Sequence, residues 1–114
     1  MTNLTEVALF TDDVAAVSSF YRSLAGSAPV AEWPGGALFA FGDAELLVHE
    51  RAAAMDVGPP NEDHFAVSVA DLDAACDALR ADGCELLLEP RDYQWGRSAY
   101  LRDPDGRLVE LAQS

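Results

Sequence analysis

Two carboxylates and two imidazoles stand near the ends of predicted strands, where they could hold a divalent metal ion. An unpaired carboxylate is costly to bury, so two of them at inward-facing positions call for a compensating positive charge. Together with two neutral imidazoles they would give a divalent ion a site of zero net charge. These oxygen and nitrogen donors suit Zn, Ni, Mn, Co or Fe(II), and the sequence does not choose among them. The four residues are Glu6, His49, His64 and Glu110.

The alternative for each residue alone is an ordinary exposed or hydrogen-bonded polar side chain. An internal repeat is what relates the four positions. Residues 5–26 combine a strand, an acidic cap, an amphipathic helix and a glycine stop, and residues 63–83 repeat that design. A shift of 58 residues places Glu6 on His64 and Asp13 on Asp71. A repeat of half the chain length indicates one supersecondary unit used twice.

Hydrophobic alternation and turn residues predict the order βαβββ in each half. The first half has predicted strands at 4–10, 30–33, 37–41 and 44–50, and a helix between Asp12 or Asp13 and Gly26. The second half has predicted strands at 64–69, 85–88, 97–102 and 108–112, and a helix between Asp71 and Gly83. A loop is expected at 89–96 and a tight turn at 103–106. Apolar spacing predicts a buried face of the first helix formed by Val14, Val17, Phe20 or Tyr21, and Leu24.

These elements predict an α+β fold of two βαβββ modules that form a cupped, barrel-like mixed sheet with an open concave side. The chain is expected to be one domain, 1–114, made of modules 1–54 and 62–114 joined by the linker 55–61. Strand alternation points Glu6, His64 and Glu110 into the cup. The fourth strand has two plausible inward rows, Glu45/Leu47/His49 or Leu46/Val48/Glu50, and we favour the row with His49.

Composition excludes several functional classes. Seven arginines and no lysine stand against 20 acidic residues, which gives a net charge of −13. Such a chain repels nucleic acid, although it is compatible with a cationic ligand. No run of 18 apolar residues and no signal peptide is present, so we expect a soluble cytoplasmic protein without membrane contact. Cys76 and Cys84 are expected to be reduced, buried thiols.

At these residues the chain resembles the vicinal oxygen chelate superfamily, which includes glyoxalase I, bleomycin-resistance proteins, extradiol dioxygenases and fosfomycin-resistance enzymes. The resemblance covers essentially the whole chain, and its last segment is the most specific. It rests on Asp12-Asp13-Val14, Phe20-Tyr21, Leu24-Ala25-Gly26, His64-Phe65-Ala66-Val67, Asp71-Leu72-Asp73-Ala74-Ala75, Trp95-Gly96-Arg97, Tyr100, Asp103-Pro104-Asp105-Gly106 and Val109-Glu110-Leu111.

The resemblance implies paired βαβββ modules, a homodimer and a metal bound at strand ends. It places metal ligands at Glu6, His64 and Glu110, with a fourth ligand near Leu47 to His49, for which His49 is the best candidate. Glu6 departs from the pattern, because active members usually have histidine or glutamine there. This departure counts against an extradiol dioxygenase and weakens the fosfomycin reading.

Two functions of different classes follow. The first is a metal-dependent lyase or isomerase acting on a small oxygenated metabolite, in which Glu6 or Glu110 moves a proton while Tyr100 and Arg97 orient the substrate. The second is a metal-free protein that binds a drug or metabolite, as the bleomycin-resistance branch does. In that case a cationic, planar ligand would lie between aromatic walls. The candidate substrate-binding residues are Trp33, Phe39, Tyr93, Trp95, Arg97 and Tyr100.

Overall fold

The computed structural model describes residues 2–51 and 58–114, so the predicted linker 55–61 lies partly outside the described residues. The described chain forms two helices and eight strands. The first half contains β1 (Asn3–Thr11), α1 (Val14–Ala25), β2 (Ala31–Trp33), β3 (Gly36–Phe41) and β4 (Ala44–Glu50). The second half contains β5 (His64–Val69), α2 (Leu72–Ala81), β6 (Leu86–Tyr93), β7 (Gly96–Arg102) and β8 (Leu108–Gln113). The predicted βαβββ order of each half is confirmed.

The chain divides into two compact units, with the boundary after Leu4 in β1. The first unit, Thr5–Asp63, has its strands in the order β2-β3-β4-β1. Strand β4 pairs in parallel with β1 and antiparallel with β3. The second unit, residues 2–4 with His64–Ser114, has the order β5-β8-β7-β6. There β8 pairs in parallel with β5 and antiparallel with β7, so the two halves share one strand arrangement.

Aspartate side chains start both helices. The Oδ1 atom of Asp13 accepts a hydrogen bond from the Ala16 N–H, and Asp71 Oδ1 accepts one from the Ala74 N–H. These are N-cap contacts, which satisfy backbone donors that the first turn leaves unpaired. Gly26 ends α1 with a φ of 71°, a left-handed conformation that glycine adopts without strain. The predicted caps and this stop are confirmed.

Each helix covers one face of its own unit. In the second unit, Leu72 and Cys76 of α2 are fully buried against Ala99 and Leu111 of the strands. In the first unit, α1 contributes only half-buried residues to the core around Phe39 and Val48. The α1 residues in this core are Val14, Val17, Tyr21 and Ala25.

Two expectations about burial were wrong. Leu24 is exposed, because the face that α1 turns to the strands passes through Ala25 instead. Of the alternatives Phe20 and Tyr21, Tyr21 packs in the core and Phe20 is exposed. Cys84 is exposed as well, since it lies between α2 and β6 rather than within a strand. Cys76 is buried as expected, and burial raises the pKa of its thiol, which keeps it protonated at neutral pH.

Strand β6 is longer than predicted. It runs to Tyr93, through most of the segment 89–96 that was predicted to be a loop. β6 contains Pro90, which cannot donate a ladder hydrogen bond. β6 pairs only with β7 in the order of this unit, and its register shifts between Leu88 and Arg91. A proline is tolerated at such an irregularity. The predicted turn at 103–106 is confirmed by the hydrogen bond from the Gly106 N–H to the Asp103 carbonyl oxygen, 2.9 Å.

This turn gives a pH-dependent prediction. Asp103 Oδ1 accepts the backbone N–H groups of Asp105 and Arg107, each at 2.9 Å. The Arg107 N–H is the largest cause that holds the pKa of Asp103 below its ordinary value of 3.8. A carboxyl whose pKa falls on folding stabilises the fold above its unfolded pKa, and this contribution is lost as pH falls through the folded value. We therefore expect Asp103→Ala to be less stable than wild type at pH 7, with the difference shrinking below pH 3.8.

Urea unfolding from pH 7 down to the acid limb measures this difference. Asp103→Asn is the matched control, because its amide oxygen still accepts both N–H groups while the charge is gone. It should show a smaller loss of stability at pH 7. A wild-type advantage over Asp103→Ala that stays constant through the acid range would contradict the assignment.

Candidate active site

Glu110 lies at the centre of the polar residues in the second unit. Because β8 lies between β5 and β7, Glu110 has Ala66 opposite it on one side and Tyr100 on the other. Residues that are directly opposite across a sheet share a face, and alternation places His64 and Ser98 on that same face. The core residues Val69, Ala99 and Leu111 point the other way, towards α2. One face of these strands thus forms the apolar core against α2. The other face carries four polar side chains, those of His64, Ser98, Tyr100 and Glu110.

The Glu110 carboxylate is buried and hydrogen-bonded through both oxygens. His64 Nε2 lies 3.1 Å from Glu110 Oε1, and the two side chains are only 7% and 8% exposed. Ser98 donates its hydroxyl proton to Glu110 Oε2 over 2.8 Å. Because a buried carboxylate is tolerated only when it is well partnered, these contacts explain how Glu110 can stay in the interior.

Two opposing effects act on the pKa of Glu110. Burial raises the pKa, since water no longer solvates the charged form. Hydrogen bonds from His64, Ser98 and Trp95, together with the charge of His64, act in the opposite direction and outweigh burial. The pKa therefore lies below the ordinary value of 4.5, and the side chain is an ionised carboxylate at neutral pH.

Three aromatic rings lie in a row beside the His64–Glu110 pair. The Tyr100 ring meets the His64 ring edge-on with centroids 6.0 Å apart, and it meets Tyr93 at 6.2 Å. Tyr93 in turn stacks on Trp95 with centroids 4.5 Å apart and nearly parallel planes. Trp95 is 61% exposed although it forms this stack. These rings link the buried His64–Glu110 pair to a solvent-facing aromatic surface.

Ser98 is not among the residues predicted from the sequence. A signal for it existed, because Ser98 stands two residues before Tyr100 on a predicted strand and therefore shares its face. A lone hydroxyl in a strand has no distinctive spacing, so this signal is weak. Its role in holding one oxygen of Glu110 is visible only once the pairing of β7 and β8 is known.

In the first unit, Glu6 and His49 are far apart along their strands. The register pairs Glu6 with Glu45 and Phe10 with His49, so the two residues are separated by four positions. At about 3.3 Å per residue this corresponds to roughly 13 Å, too far for both to bind one ion. The His49 ring lies beside Phe10 with centroids 5.4 Å apart, and its Nδ1 donates to the Glu50 carbonyl oxygen at 2.7 Å.

The register also identifies the true counterpart of Glu110. The 58-residue shift relates Ala8 to Ala66, and these two residues pair with Leu47 and Glu110, respectively. The counterpart of Glu110 is therefore Leu47, whereas His49 lies one pleat further along. Leucine cannot bind a metal, so the position where the resemblance implies a fourth ligand is apolar in this chain.

Two predicted substrate-binding residues have structural contacts instead. Phe39 is 1% exposed and belongs to the core under α1. Arg97 donates to Asp73 of α2 at 3.1 Å and to Asp92 at 3.3 Å, and these bonds raise its pKa. Arg97 thus ties β7 to α2 on the side away from Glu110. Trp33 lies at a separate cavity of the first unit.

Of the predicted metal ligands, only His64 and Glu110 have donor atoms at a distance that suits one divalent ion. Within residues 2–51 and 58–114, no group of three or more His, Cys, Asp or Glu side chains could hold a metal. His64 Nε2 and Glu110 Oε1 are 3.1 Å apart. Two donors bound to one zinc-like ion are about 3 to 3.5 Å apart, given metal–ligand distances of about 2.0–2.2 Å. This pair therefore fits two adjacent ligand positions, whereas Glu6 and His49 are too far apart along their strands to bind the same ion.

Comparison with known proteins identifies the family. A model of the Glyoxalase/Bleomycin resistance protein/Dioxygenase superfamily matches residues 3–111. The chain belongs to this superfamily. The fold resemblance read from the sequence is thereby confirmed. In the described part of the chain, no helix is long and apolar enough to cross a membrane.

Individual relatives cover the chain to different extents. A "Probable lactoylglutathione lyase" of Vibrio cholerae is 38% identical over 53 residues, which are 45% of this chain and 38% of that protein. "Glutathione transferase FosA" of Serratia marcescens is 28% identical over 96% of this chain and 79% of its own length. The crystal structure of a methylmalonyl-CoA epimerase from Mycobacterium tuberculosis has a TM-score of 0.74 and 25% identity, covering 96% of this chain and 86% of that one. The match to the Vibrio protein thus spans well under half of that relative.

Proposed function

We propose that this chain is a lyase or isomerase that moves a proton on a small oxygenated metabolite, with Glu110 as the group that carries the proton. The observation that supports this proposal most strongly is a buried, ionised carboxylate held from both sides by His64 and Ser98. Glyoxalase-family relatives named as lyases and an epimerase are consistent with it. Epimerisation at a carbon next to a carbonyl group requires such a proton to leave and return.

Each side chain has a defined part in this proposal. Ser98 fixes Oε2, and His64 directs Oε1, so the carboxylate cannot rotate away from its position. Tyr100, buried opposite Glu110, presents its ring beside His64 and limits the space around the pair.

The lowered pKa sets a requirement on the substrate. A weakly basic carboxylate removes a carbon-bound proton efficiently only if that proton is made more acidic. A divalent ion held by His64 and Glu110 would supply this effect as a Lewis acid on a substrate oxygen. We propose Glu6 as a further ligand only because it is the repeat counterpart of His64. His49 is not proposed as a ligand, because it lies two residues beyond Leu47, the counterpart of Glu110.

Exchange of a carbon-bound proton with solvent tests the proposal without a coupled assay. The protein is incubated in D2O with methylmalonyl-CoA or S-lactoylglutathione, with and without added Zn²⁺, Ni²⁺ or Mn²⁺, and proton NMR follows the carbon next to the carbonyl group. We expect deuterium to enter at least one substrate, faster with a metal present. Absence of exchange in every mixture, with the protein folded, would overturn the proposal.

A metal-free binding protein is the second candidate, and the Tyr93–Trp95 stack favours it. Trp95 offers an exposed indole face next to a second ring, and such a surface binds flat ligands. The acidic chain would add attraction for a cationic ligand. Quenching of tryptophan fluorescence by a cationic glycopeptide, unchanged by His64→Ala, would favour this function over catalysis.

A further inference from the structure

The first unit contains a second candidate binding site, separate from Glu110 and its partners. A cavity of about 410 Å³ lies between α1 and the β2–β3 segment, and the predicted metal ligands do not line it. Its volume is within the range of small-molecule sites. The residues that matter for its chemistry are Val14, Ser18, Arg22, Glu32, Trp33 and Phe39.

The Ser18 hydroxyl is the first sign that this cavity has a ligand. Its Oγ atom is buried and has no hydrogen-bond partner among the described residues. A buried hydroxyl without a partner costs free energy, so native structures usually supply one. A serine in a helix can bond to the carbonyl oxygen four residues earlier, as Ser23 does with Ser19. Ser18 forms no such bond, and it stands in the wall of the cavity.

Arg22 is the second sign, because it differs from the other arginines of this acidic chain. Arg51, Arg80, Arg97 and Arg107 form ion pairs, Arg102 donates to a carbonyl oxygen, and Arg91 lies over the Tyr93 ring. Arg22 has no ion pair in the described ranges, although acidic residues outnumber basic ones by nearly three to one. Glu32, on the opposite wall, also lacks an ion pair there. Both residues are exposed, so the rim of the cavity carries one charge of each sign that has no ion pair within residues 2–51 and 58–114.

Trp33 supplies a flat surface whose position is fixed by the neighbouring strand. Trp33 pairs with Gly36, and a Cβ atom at Gly36 would lie 2.7 Å from the indole ring and 2.5 Å from the Val48 carbonyl oxygen. Only glycine leaves room for the indole to approach this closely. Trp33 remains 39% exposed, so a face of the ring is open to a ligand.

We propose that this cavity binds a small aromatic zwitterion, such as an α-amino acid with a ring side chain. Its carboxylate would pair with Arg22, its ammonium group with Glu32, and its ring would lie on Trp33. Ser18 would hydrogen-bond to one of the polar groups. A ligand with no net charge is not repelled by a chain of net charge −13, whereas a simple anion is.

The test uses L-phenylalanine as the probe and the two tryptophans of the chain as reporters. Proton–nitrogen NMR spectra resolve two indole N–H signals, and Trp33→Phe assigns them. We expect L-phenylalanine to shift the Trp33 signal saturably at millimolar concentration and to leave Trp95 unchanged. Phenethylamine, which lacks the carboxylate, and 3-phenylpropionate, which lacks the ammonium group, should each bind at least tenfold more weakly.

Charge-removing variants then assign the two ends of the probe. Arg22→Gln should weaken L-phenylalanine at least tenfold and leave phenethylamine unchanged, while Glu32→Gln should spare 3-phenylpropionate. Arg107→Gln, which removes a paired surface arginine, is the matched control and should bind normally. The inference is overturned if no probe shifts Trp33 saturably, or if Arg22→Gln binds as well as wild type. Neither result depends on whether Glu110 is catalytic.

Discussion

Glu110→Gln is expected to slow substrate proton exchange by about 10²- to 10⁴-fold, the range that a positioned acid–base group contributes. The glutamine keeps the length and shape of the side chain but cannot accept a proton at neutral pH. Its amide nitrogen would also face one of the two donors, His64 or Ser98, which now have an acceptor at 3.1 Å and 2.8 Å. We expect a stability loss of about 1–3 kcal/mol from that unsatisfied contact, small enough for the variant to remain folded.

Exchange rates in D2O measure the loss of catalysis, and urea unfolding of the same preparation measures the loss of stability. Glu85→Gln is the matched control, because Glu85 lies in the same unit and is exposed. It should keep the exchange rate of wild type. Ser98→Ala should give an intermediate rate, since Oε2 would lose one donor while the base is retained. Full exchange by a folded Glu110→Gln variant would remove Glu110 from the chemistry.

Local sequence patterns were enough to predict most of the fold. Each predicted element has a local signal: an aspartate cap, a glycine stop or an apolar alternation. The repeat was visible because residues 5–26 and 63–83 share the order of strand, aspartate cap, helix and glycine. Pairing His64 with Glu110 on one face needed only alternation along β5 and β8, two strands whose apolar rows are unambiguous.

Register is where sequence reasoning reached its limit. β4 reads Ala-Glu-Leu-Leu-Val-His-Glu, in which both alternating rows contain apolar residues. Alternation left both rows open for His49, and it could not say which residue of β1 lies opposite His49. That depends on the parallel pairing with β1, which contacts distant in sequence decide. A shift of two residues keeps the face and moves the side chain along the strand by about 7 Å.

The contact partners of individual side chains could not be predicted from the sequence either. Arg97 beside Trp95 and Gly96 suggested a ligand contact, yet Asp73 lies on α2, 24 residues away in sequence, and takes the guanidinium. Phe39 was predicted to form part of an aromatic wall. It lies opposite Leu46 on the face of the strands that packs against α1. In both cases the residue type was informative, and the fold determined what it touches.

Phe39→Ala is expected to destabilise the first unit by about 3–5 kcal/mol, because the loss of a buried ring removes transfer free energy and leaves a cavity. The ring packs with Val48 and Ala37 of the strands beneath Val14 and Val17 of α1. α1 contributes only half-buried residues to this core, and Phe39 is the largest fully buried side chain described in the unit. For a chain with a total stability of about 5–15 kcal/mol, this loss is a large fraction.

Phe20→Ala is the matched control for this loss, since it removes the same side chain from the same unit. Phe20 is 62% exposed, and its removal should change stability by no more than about 0.5 kcal/mol. Urea unfolding followed by circular dichroism gives both values, and equal slopes show that the same surface is exposed in each variant. If both variants lost equal stability, Phe39 would not be the packing centre of this unit. If only Phe39→Ala unfolds early, α1 is held to its strands chiefly by one ring.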